Sequence, residues 1–171
     1  MDEISEVPIN EELIVSRYID NPLLLNGLKF DLRVYVLVTS FEPLRIYVYN
    51  EGLARFASEP YHDPETTKNT KYAHLTNYSI NKKNERYVQN TNTSEESNKS
   101  HKWSFSQLSK HLEELAVDLD LLWSRIYDVI IKSLLSIDSI IINNFKKLGF
   151  EKNGNCFDLL GYDILIDSNL K

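Results

Sequence analysis

Three charged side chains stand at the start of one apolar run of the sequence. Lys29, Asp31 and Arg33 alternate with Phe30 and Leu32. Successive side chains of a β-strand point to opposite faces, so the three charged groups share one face of a predicted strand. A charge held near a core is costly unless a partner or a ligand neutralises it. The pattern therefore indicates either an internal ladder of ion pairs or a ligand site.

One carboxylate stands on the apolar side of the last predicted strand, residues 156–166. Asp163 shares a face there with the apolar Phe157 and Leu159, and it follows Gly161, which lets another group approach closely. Such a carboxylate suits Mg²⁺, which takes few protein carboxylates and completes its shell with phosphate oxygens and water. From its position alone, capping of the following turn is the better explanation of Asp163.

Two other segments carry polar chemistry without being specific. The run 74–79, His-Leu-Thr-Asn-Tyr-Ser, can line a polar pocket or bond its own backbone in turns. Arg55, between Ala54 and Phe56, can hold a carboxylate or phosphate with two parallel hydrogen bonds, but exposed arginines are common. Neither segment identifies a function by itself.

Composition limits the classes of protein that this chain can be. Its 171 residues, 42% of them hydrophobic, are enough for one domain with a core. A formal charge of −6 argues against nonspecific nucleic-acid binding. The single cysteine, Cys156, excludes an internal disulfide and is expected to be a small buried residue. The most apolar stretch, 137–145, is too short to span a bilayer. An intracellular protein without membrane contact is the default.

The first half of the chain is predicted to be mainly extended. Residues 1–13 are acidic, and 13–19 read as a short extended piece before a turn at Pro22. The strand from Lys29 to Ser40 and the alternating run 44–49 are close enough in sequence to form a hairpin, and 52–57 is a third short piece. Residues 60–76 are loop-like, and 81–101 form a polar loop that the composition predicts to be disordered.

The second half has helical periodicity. Ser104 and Gln107 fit a capping box for a first helix, and a second begins near Asp118 or Asp120 and stops before Gly149. A wide apolar stripe on the second helix is formed by Trp123, Ile126, Tyr127, Ile130, Ile131 and Leu134. The fold class is α+β, a mainly antiparallel sheet covered by two helices. The last strand ends at a turn, 167–169, with no return strand, so we expect the sequence to be a piece of a longer protein.

Six motifs in order carry a resemblance to a known family. They are YIDNPLLL (18–25), KFDLRVYVLVTS (29–40), PLRIYVYNEGLARF (43–56), HLTNYSINK (74–82), HKWS (101–104) and LLGYDILIDSNLK (159–171). Together they resemble the tubulin–tyrosine ligase-like family, which are amino-acid ligases of the ATP-grasp class. The resemblance covers 14–171 as the C-terminal part of such a domain, a partial ATP-grasp. The Lys-Lys-Asn run after HLTNYSIN, residues 82–84, and HKWS resemble the glutamate-adding members most.

The resemblance assigns roles to residues of this chain. ATP contacts are implied for Arg17, Tyr18, Ile19, Lys29, Phe30, Asp31, Thr76 and Asn77. Contacts to the incoming amino acid are implied for Arg55, Tyr78, Ser79 and Lys102. Arg33 and Arg55 are the implied catalytic cations, and Asp163 is the implied first metal ligand. Ser16 departs from the family, which usually has glutamine there, and this weakens the expected adenine contact.

The implied reaction joins free glutamate to a side-chain carboxylate of tubulin. ATP, with Mg²⁺, phosphorylates the acceptor carboxylate, and the amine of glutamate attacks the acyl-phosphate. The implied protein is a monomer that acts on tubulin and microtubules in the cytoplasm and cytoskeleton, with the cilium or basal body as an option. It binds neither nucleic acid nor membrane.

Three alternatives stay open from the sequence. The chain is either part of an active ligase or a non-catalytic truncated remnant that binds tubulin or another partner. Within the enzyme class, glycine or tyrosine addition competes with glutamate addition. The family pattern continues past Lys171 with a glutamate and an asparagine that complete the metal site, so the 171-residue chain alone is expected to show no ligase activity.

Overall fold

A computed structural model of the protein describes residues 12–61, 71–89, 100–149 and 156–171, together with Pro8 and Asn10. The strands are β1 (Leu24–Leu25), β2 (Leu28–Phe41), β3 (Leu44–Phe56), β4 (Lys102–Ser104) and β5 (Asp158–Ile164). All pairings are antiparallel: β3 lies on one side of β2, β1 and β5 lie on the other side, and β4 extends the sheet beyond β3. The predicted α+β class with a mainly antiparallel sheet is confirmed, and its assignment as a partial ATP-grasp stays a prediction.

The described part of the chain contains five helices, where the sequence predicted two. They are α1 (Lys71–His74), α2 (Tyr78–Asn81), α3 (Phe105–Glu114), α4 (Leu119–Leu135) and α5 (Asp138–Lys147). The two single turns, α1 and α2, fall in or beside segments predicted as loop. The long second helix ends early because the Ser136 hydroxyl donates to the carbonyl of Ser133 and the Ile137 amide turns back to Leu134. No helix among these residues is long and apolar enough to cross a bilayer.

The predicted helix starts are confirmed. Ser104 Oγ accepts from the Gln107 amide at 3.2 Å, and Gln107 Oε1 accepts from the Ser104 amide at 3.0 Å. This reciprocal capping box satisfies two backbone donors that the first turn of α3 leaves free. Asp118 caps α4 by accepting from the Leu121 amide at 2.9 Å. Both caps place the helices against the sheet at defined positions.

The core lies between one face of the sheet and the long helices. Alternate residues of β2 and β3 face it, and α4 adds Ile126, Ile130 and Leu134. The apolar stripe of α4 is narrower than predicted, because Tyr127 and Ile131 are more than 40% exposed. The core-facing residues of the sheet include Phe30, Leu32, Val34, Val36, Val38, Ala54 and Phe56.

Several expectations about the strands are wrong. Residues 13–19 form no strand, and Ile14 is almost fully exposed. The predicted third piece, 52–57, is not a separate strand but the continuation of β3. Between the pairs Val34–Gly52 and Val36–Val48, β3 has two more residues than β2 requires, and this bulge lets the strand pair with β2 on both sides of it. Cys156 is exposed. Most of segment 1–13 and residues 90–99 of the predicted polar loop lie outside the described residues.

The side of β5 that faces the core is the opposite of the one that the sequence predicted. Leu160, Tyr162 and Ile164 pack against the core, whereas Leu159 is 67% exposed. The register sets this orientation, because Asp163 pairs with Arg33 and cross-strand partners share a face. Asp163 therefore lies on the charged face of the sheet, opposite to the core.

Candidate functional site

The register of three strands brings four charged side chains together on the face opposite the core. Asp31 of β2 pairs with Arg55 of β3, and Arg33 of β2 pairs with Asp163 of β5. Arg55 donates to both carboxylate oxygens of Asp31, the Nε bond being 2.9 Å long. Arg33 donates to both oxygens of Asp163 at 2.6 and 3.2 Å. Arg55 Nη2 also lies 2.9 Å from Asp163 Oδ1, which joins the two pairs into one network.

The two halves of this network differ in solvent exposure. The side chains of Arg55 and Asp31 are 12% and 11% exposed, against 32% and 46% for Arg33 and Asp163. Ion pairs near the surface contribute little to stability, whereas breaking a buried pair is strongly destabilising. The Arg55–Asp31 pair is therefore the fixed half of the network, and the Arg33–Asp163 pair is the half that a ligand can rearrange at low cost.

The network shifts the pKa of Arg33, Arg55 and Asp163 in the direction that favours their charged forms. Partial burial by itself raises the pKa of Asp163, but hydrogen bonds from Arg33 and Arg55 outweigh it and hold that pKa below its usual value. The hydrogen bond to Asp31 raises the pKa of Arg55, and the bond to Asp163 raises that of Arg33. The charges of these three groups are thus present at neutral pH.

A pocket of about 170 Å³ opens beside the network. Five of the residues singled out from the sequence line it: Arg33, Arg55, Thr76, Tyr78 and Lys102. Three others, which sequence reasoning missed, complete the lining: Leu53, Tyr87 and His101. Their signal was weak, because Tyr87 and His101 fall in a stretch whose polar composition predicts a loop. The pocket joins β2, β3 and β4 to the turn around α2.

An aromatic stack forms one wall of this pocket. The His101 ring stacks on Tyr87 at 5.4 Å between centroids, and Tyr87 meets Tyr78 edge-on at 5.8 Å. His101 Nδ1 accepts from the Val88 amide at 3.0 Å, so in the neutral ring the proton is on Nε2. Burial lowers the pKa of His101 and outweighs the opposite effect of that hydrogen bond. His101 therefore contributes a neutral donor to a pocket that is otherwise rich in cations.

A buried asparagine holds the segment that carries Thr76 and Tyr78. Asn81 is completely buried, and its Oδ1 accepts from the amide and the hydroxyl of Ser58 at 2.9 and 2.7 Å. Its Nδ2 donates to the carbonyls of Leu75 and Asn77 at 2.6 and 3.1 Å. The sequence placed Asn81 at the start of a disordered loop, so this positioning role was missed.

A second cluster surrounds Lys29, which is 6% exposed. Lys29 Nζ donates to the Tyr18 hydroxyl at 3.1 Å and lies 4.7 Å from the centre of the Tyr18 ring. The Tyr18 hydroxyl is 3.0 Å from His74 Nδ1. This chain of contacts connects the predicted adenine-binding segment to the 74–79 run. Arg17 and Ile19 beside Tyr18 are exposed.

Some predicted residues are not brought to the pocket. The side chain of Phe30 is 1% exposed and faces the core, so only its backbone is on hand for a ligand. Asn77 and Ser79 are exposed and do not line the pocket within the described part of the chain. Asn77 instead precedes α2 and supplies the carbonyl that accepts from Ile80.

The residues present fit a magnesium ion only in part. Asp163 is a half-exposed carboxylate of the kind that Mg²⁺ takes together with phosphate oxygens and water. Within the described ranges no three His, Cys, Asp or Glu side chains cluster as a metal site. Asp163 therefore suits a single bond to a metal that a phosphate ligand brings with it, provided that Arg33 first releases the carboxylate.

The charge of the pocket favours an anionic ligand. Arg33, Arg55 and Lys102 provide three cations at or near its lining, and Asp31 and Asp163 offset two of them. Guanidinium groups bind carboxylates and phosphates bidentately. A small ligand with one or more carboxylate or phosphate groups matches this arrangement best.

Comparison with known proteins gives a consistent result. The family model described as "Tubulin-tyrosine ligase family" matches residues 1–171. "Tubulin monoglutamylase TTLL4" of Mus musculus is 41% identical over 167 residues, which is 98% of this chain and 14% of that protein. "Tubulin polyglutamylase ttll-5" of Caenorhabditis elegans is 45% identical over 170 residues, 98% of this chain and 23% of that protein. "Tubulin polyglutamylase TTLL6" of Homo sapiens is 43% identical over 171 residues, with 98% and 18% covered. The chain thus spans less than a quarter of these relatives.

Proposed function

The chain belongs to the tubulin–tyrosine ligase family, and from that premise we propose that it is part of an ATP-dependent ligase that adds glutamate to side-chain carboxylates of tubulin. The names of its relatives support glutamate and tubulin as substrates, since these relatives are tubulin monoglutamylases and polyglutamylases. Tubulin and microtubules are then the partners, and a cytoplasmic, cytoskeletal location goes with them.

The observation that carries this proposal is the cationic pocket. Glutamate has two carboxylates, and Arg55 and Lys102 both line the pocket. A dicarboxylic amino acid can meet the two cations with its two carboxylates, whereas glycine brings only one carboxylate. Tyr78 and His101 add a phenol and a neutral imidazole donor at the same wall. The pocket therefore supports glutamate over glycine as the amino acid that is added.

We propose different roles for the residues around the network: some hold a cation in one orientation, and others move when ATP binds. Asp31 fixes Arg55 through two hydrogen bonds in a largely buried pair, so Arg55 presents its charge in one orientation. Arg33 is the more exposed arginine and is proposed to turn from Asp163 to a phosphate of ATP. Lys29, Thr76 and the 17–19 segment are the proposed contacts to the rest of the nucleotide. Magnesium, when bound, neutralises part of the triphosphate charge.

The proposed reaction needs no protein nucleophile. An oxygen of the acceptor carboxylate attacks the γ-phosphorus of ATP, the bond to the ADP oxygen breaks, and an acyl-phosphate forms. The amine nitrogen of glutamate, after losing a proton, attacks the acyl carbon, an amide bond forms, and phosphate leaves. Arg33 and Arg55 stabilise the negative charge that moves between phosphate and carbonyl oxygens, and the pocket orients the amine.

Calorimetric titration of the protein with glutamate, in the presence of ATP and Mg²⁺, tests the proposal. We expect glutamate to bind more tightly than glycine or tyrosine. Lys102→Met should weaken glutamate binding on the order of tenfold or more, because a charge-assisted hydrogen bond is lost, and should leave glycine binding nearly unchanged. Lys83→Met, at an exposed lysine outside the pocket lining, is the matched control.

A ligation assay with labelled glutamate and tubulin provides the test of activity, and it uses the longer protein of which this chain is proposed to be a part. Label that enters tubulin only when ATP is present, and enters less when Arg33 is replaced by Met, supports the proposed reaction. Preferential binding of glycine or tyrosine in the titration would overturn the assignment of glutamate, and equal effects of the two lysine variants would overturn the assigned role of the pocket.

A further inference from the structure

A second pocket, of about 330 Å³, lies between β3, α3 and the first half of α4. Four aromatic side chains line it, namely Tyr49, Phe105, Trp123 and Tyr127. The remaining lining is polar, with the amide of Asn50 and the hydroxyls of Ser106 and Ser109. It shares no residue with the pocket described above, so the proposed ligase reaction does not account for it.

The aromatic rings support one another in fixed positions. Trp123 meets the buried Phe105 edge-on at 5.3 Å between centroids, and Tyr127 lies 5.9 Å from Trp123. Phe105 is 2% exposed, whereas Tyr49 and Tyr127 are 64% and 43% exposed. The pocket thus combines a rigid base with accessible rings at its rim. Accessible aromatic rings attract cations, because the face of each ring carries a partial negative charge.

A carboxylate at the rim of the second pocket strengthens this preference. Glu51 accepts from the Phe105 amide at 3.1 Å, and its other oxygen accepts from the hydroxyl of the pocket-lining Ser106. Each of these oxygens keeps a further lone pair with which it can accept from another donor. Asp120 lies one helical turn before Trp123, on the same side of α4.

We propose that the second pocket binds the cationic side chain of a partner protein, an arginine or a lysine. The rings disfavour an anion, as does Glu51, and the hydroxyl and amide groups disfavour a purely apolar ligand. An arginine suits the site particularly well, since its flat guanidinium stacks on aromatic rings while it donates to carboxylate and hydroxyl oxygens. The formal charge of this 171-residue chain, −6, agrees with a basic partner surface.

Titration of the protein with acetyl-Gly-Arg-Gly-amide, followed by NMR, tests this proposal. The neutral control is the same peptide with citrulline, which has nearly the same shape but no charge. The indole N–H signal of Trp123 is the readout, assigned by its loss in Trp123→Phe. We expect a saturable shift with the arginine peptide and binding at least roughly tenfold weaker with citrulline. The indole of the buried Trp103, which donates to the Ser100 carbonyl, should not move.

Two variants of Tyr127 distinguish loss of the aromatic ring from a general loss of folding. Tyr127→Phe keeps an aromatic face and should preserve binding within about twofold, whereas Tyr127→Leu should weaken it several-fold. Glu51→Gln should weaken it further while the Trp103 signal stays in place. Equal binding of the arginine and citrulline peptides would overturn the proposal. So would the absence of any shift of Trp123, or equal binding by the Phe and Leu variants.

Discussion

The two carboxylates of the charged network should differ sharply in what they contribute to stability. We expect Asp31→Asn to lower the free energy of unfolding by about 3 kcal/mol, because it leaves the guanidinium of Arg55 without its main buried partner. Breaking a buried pair typically costs about 3–5 kcal/mol. The lower end applies here because Arg55 keeps its contact with Asp163 at 2.9 Å.

Asp163→Asn should lower the free energy of unfolding by less than about 1 kcal/mol. Its side chain is 46% exposed and that of Arg33 is 32% exposed, so water replaces much of what the pair provides. Asp128→Asn is a matched surface control, because Asp128 pairs with Lys132 at 2.6 Å and both side chains are more than half exposed. We expect this control to change stability by no more than about 0.5 kcal/mol.

Urea denaturation followed by circular dichroism measures all three variants. With a slope of roughly 1–3 kcal/mol per molar urea, Asp31→Asn should lower the midpoint by about 1–3 M, and the other two variants by well under 1 M. Equal losses for Asp31→Asn and Asp163→Asn would refute the division into a fixed and a responsive half. A loss at Asp31 no larger than at Asp128 would refute the burial argument altogether.

Three other predictions concern His101, Asn81 and Gly52. Because burial lowers the pKa of His101, the unfolded chain binds that proton more readily, so stability should fall as pH falls through about 6.5. Asn81→Ala should cost about 3 kcal/mol or more in denaturation, since four hydrogen bonds are lost in a buried position. Gly52→Ala should cost about 1–3 kcal/mol in thermal melts, because a Cβ would overlap the ring of Phe105 and lie 2.5 Å from the Arg33 carbonyl oxygen.

Each of these three predictions has a control or a result that would contradict it. His101→Asn keeps an acceptor for the Val88 amide without titrating, so its stability should lose the pH dependence near 6.5; a dependence that persists would exclude His101 as the source. Asn144→Ala, at an exposed asparagine of α5, should be nearly neutral. A melting temperature of Gly52→Ala equal to that of the parent protein would mean that β3 and α3 can move apart freely.

Local sequence rules predicted the elements with strong internal patterns. The hairpin of β2 and β3 follows from period-two alternation, and the starts of α3 and α4 follow from caps at Ser104 and Asp118. Such patterns are legible because each depends on neighbours within a few residues. The break at Ser136 and the exposure of 13–19 were not predicted, because they depend on packing that the local pattern does not contain.

The residues of the site were partly predictable from the family resemblance and from the alternation of side chains along β2. That alternation correctly grouped Asp31 and Arg33, whereas Lys29 lies in a separate cluster with Tyr18. The motifs added Arg55 and Lys102. Tyr87 and His101 were missed because their role depends on contacts across the pocket, the stacking of the two rings and the bond to the Val88 amide. Composition alone classed that stretch as a solvated loop.

The sequence by itself determined which side chains share a face of β2, because alternation along a strand is a local property of the backbone. It also determined where α3 and α4 begin. Only the tertiary structure decided which charge meets which. The register between β2, β3 and β5 pairs Asp31 with Arg55 and Arg33 with Asp163, and a shift of one residue would turn these side chains to the opposite face. Register is set by the packing of the whole sheet against its helices, so no single segment encodes it.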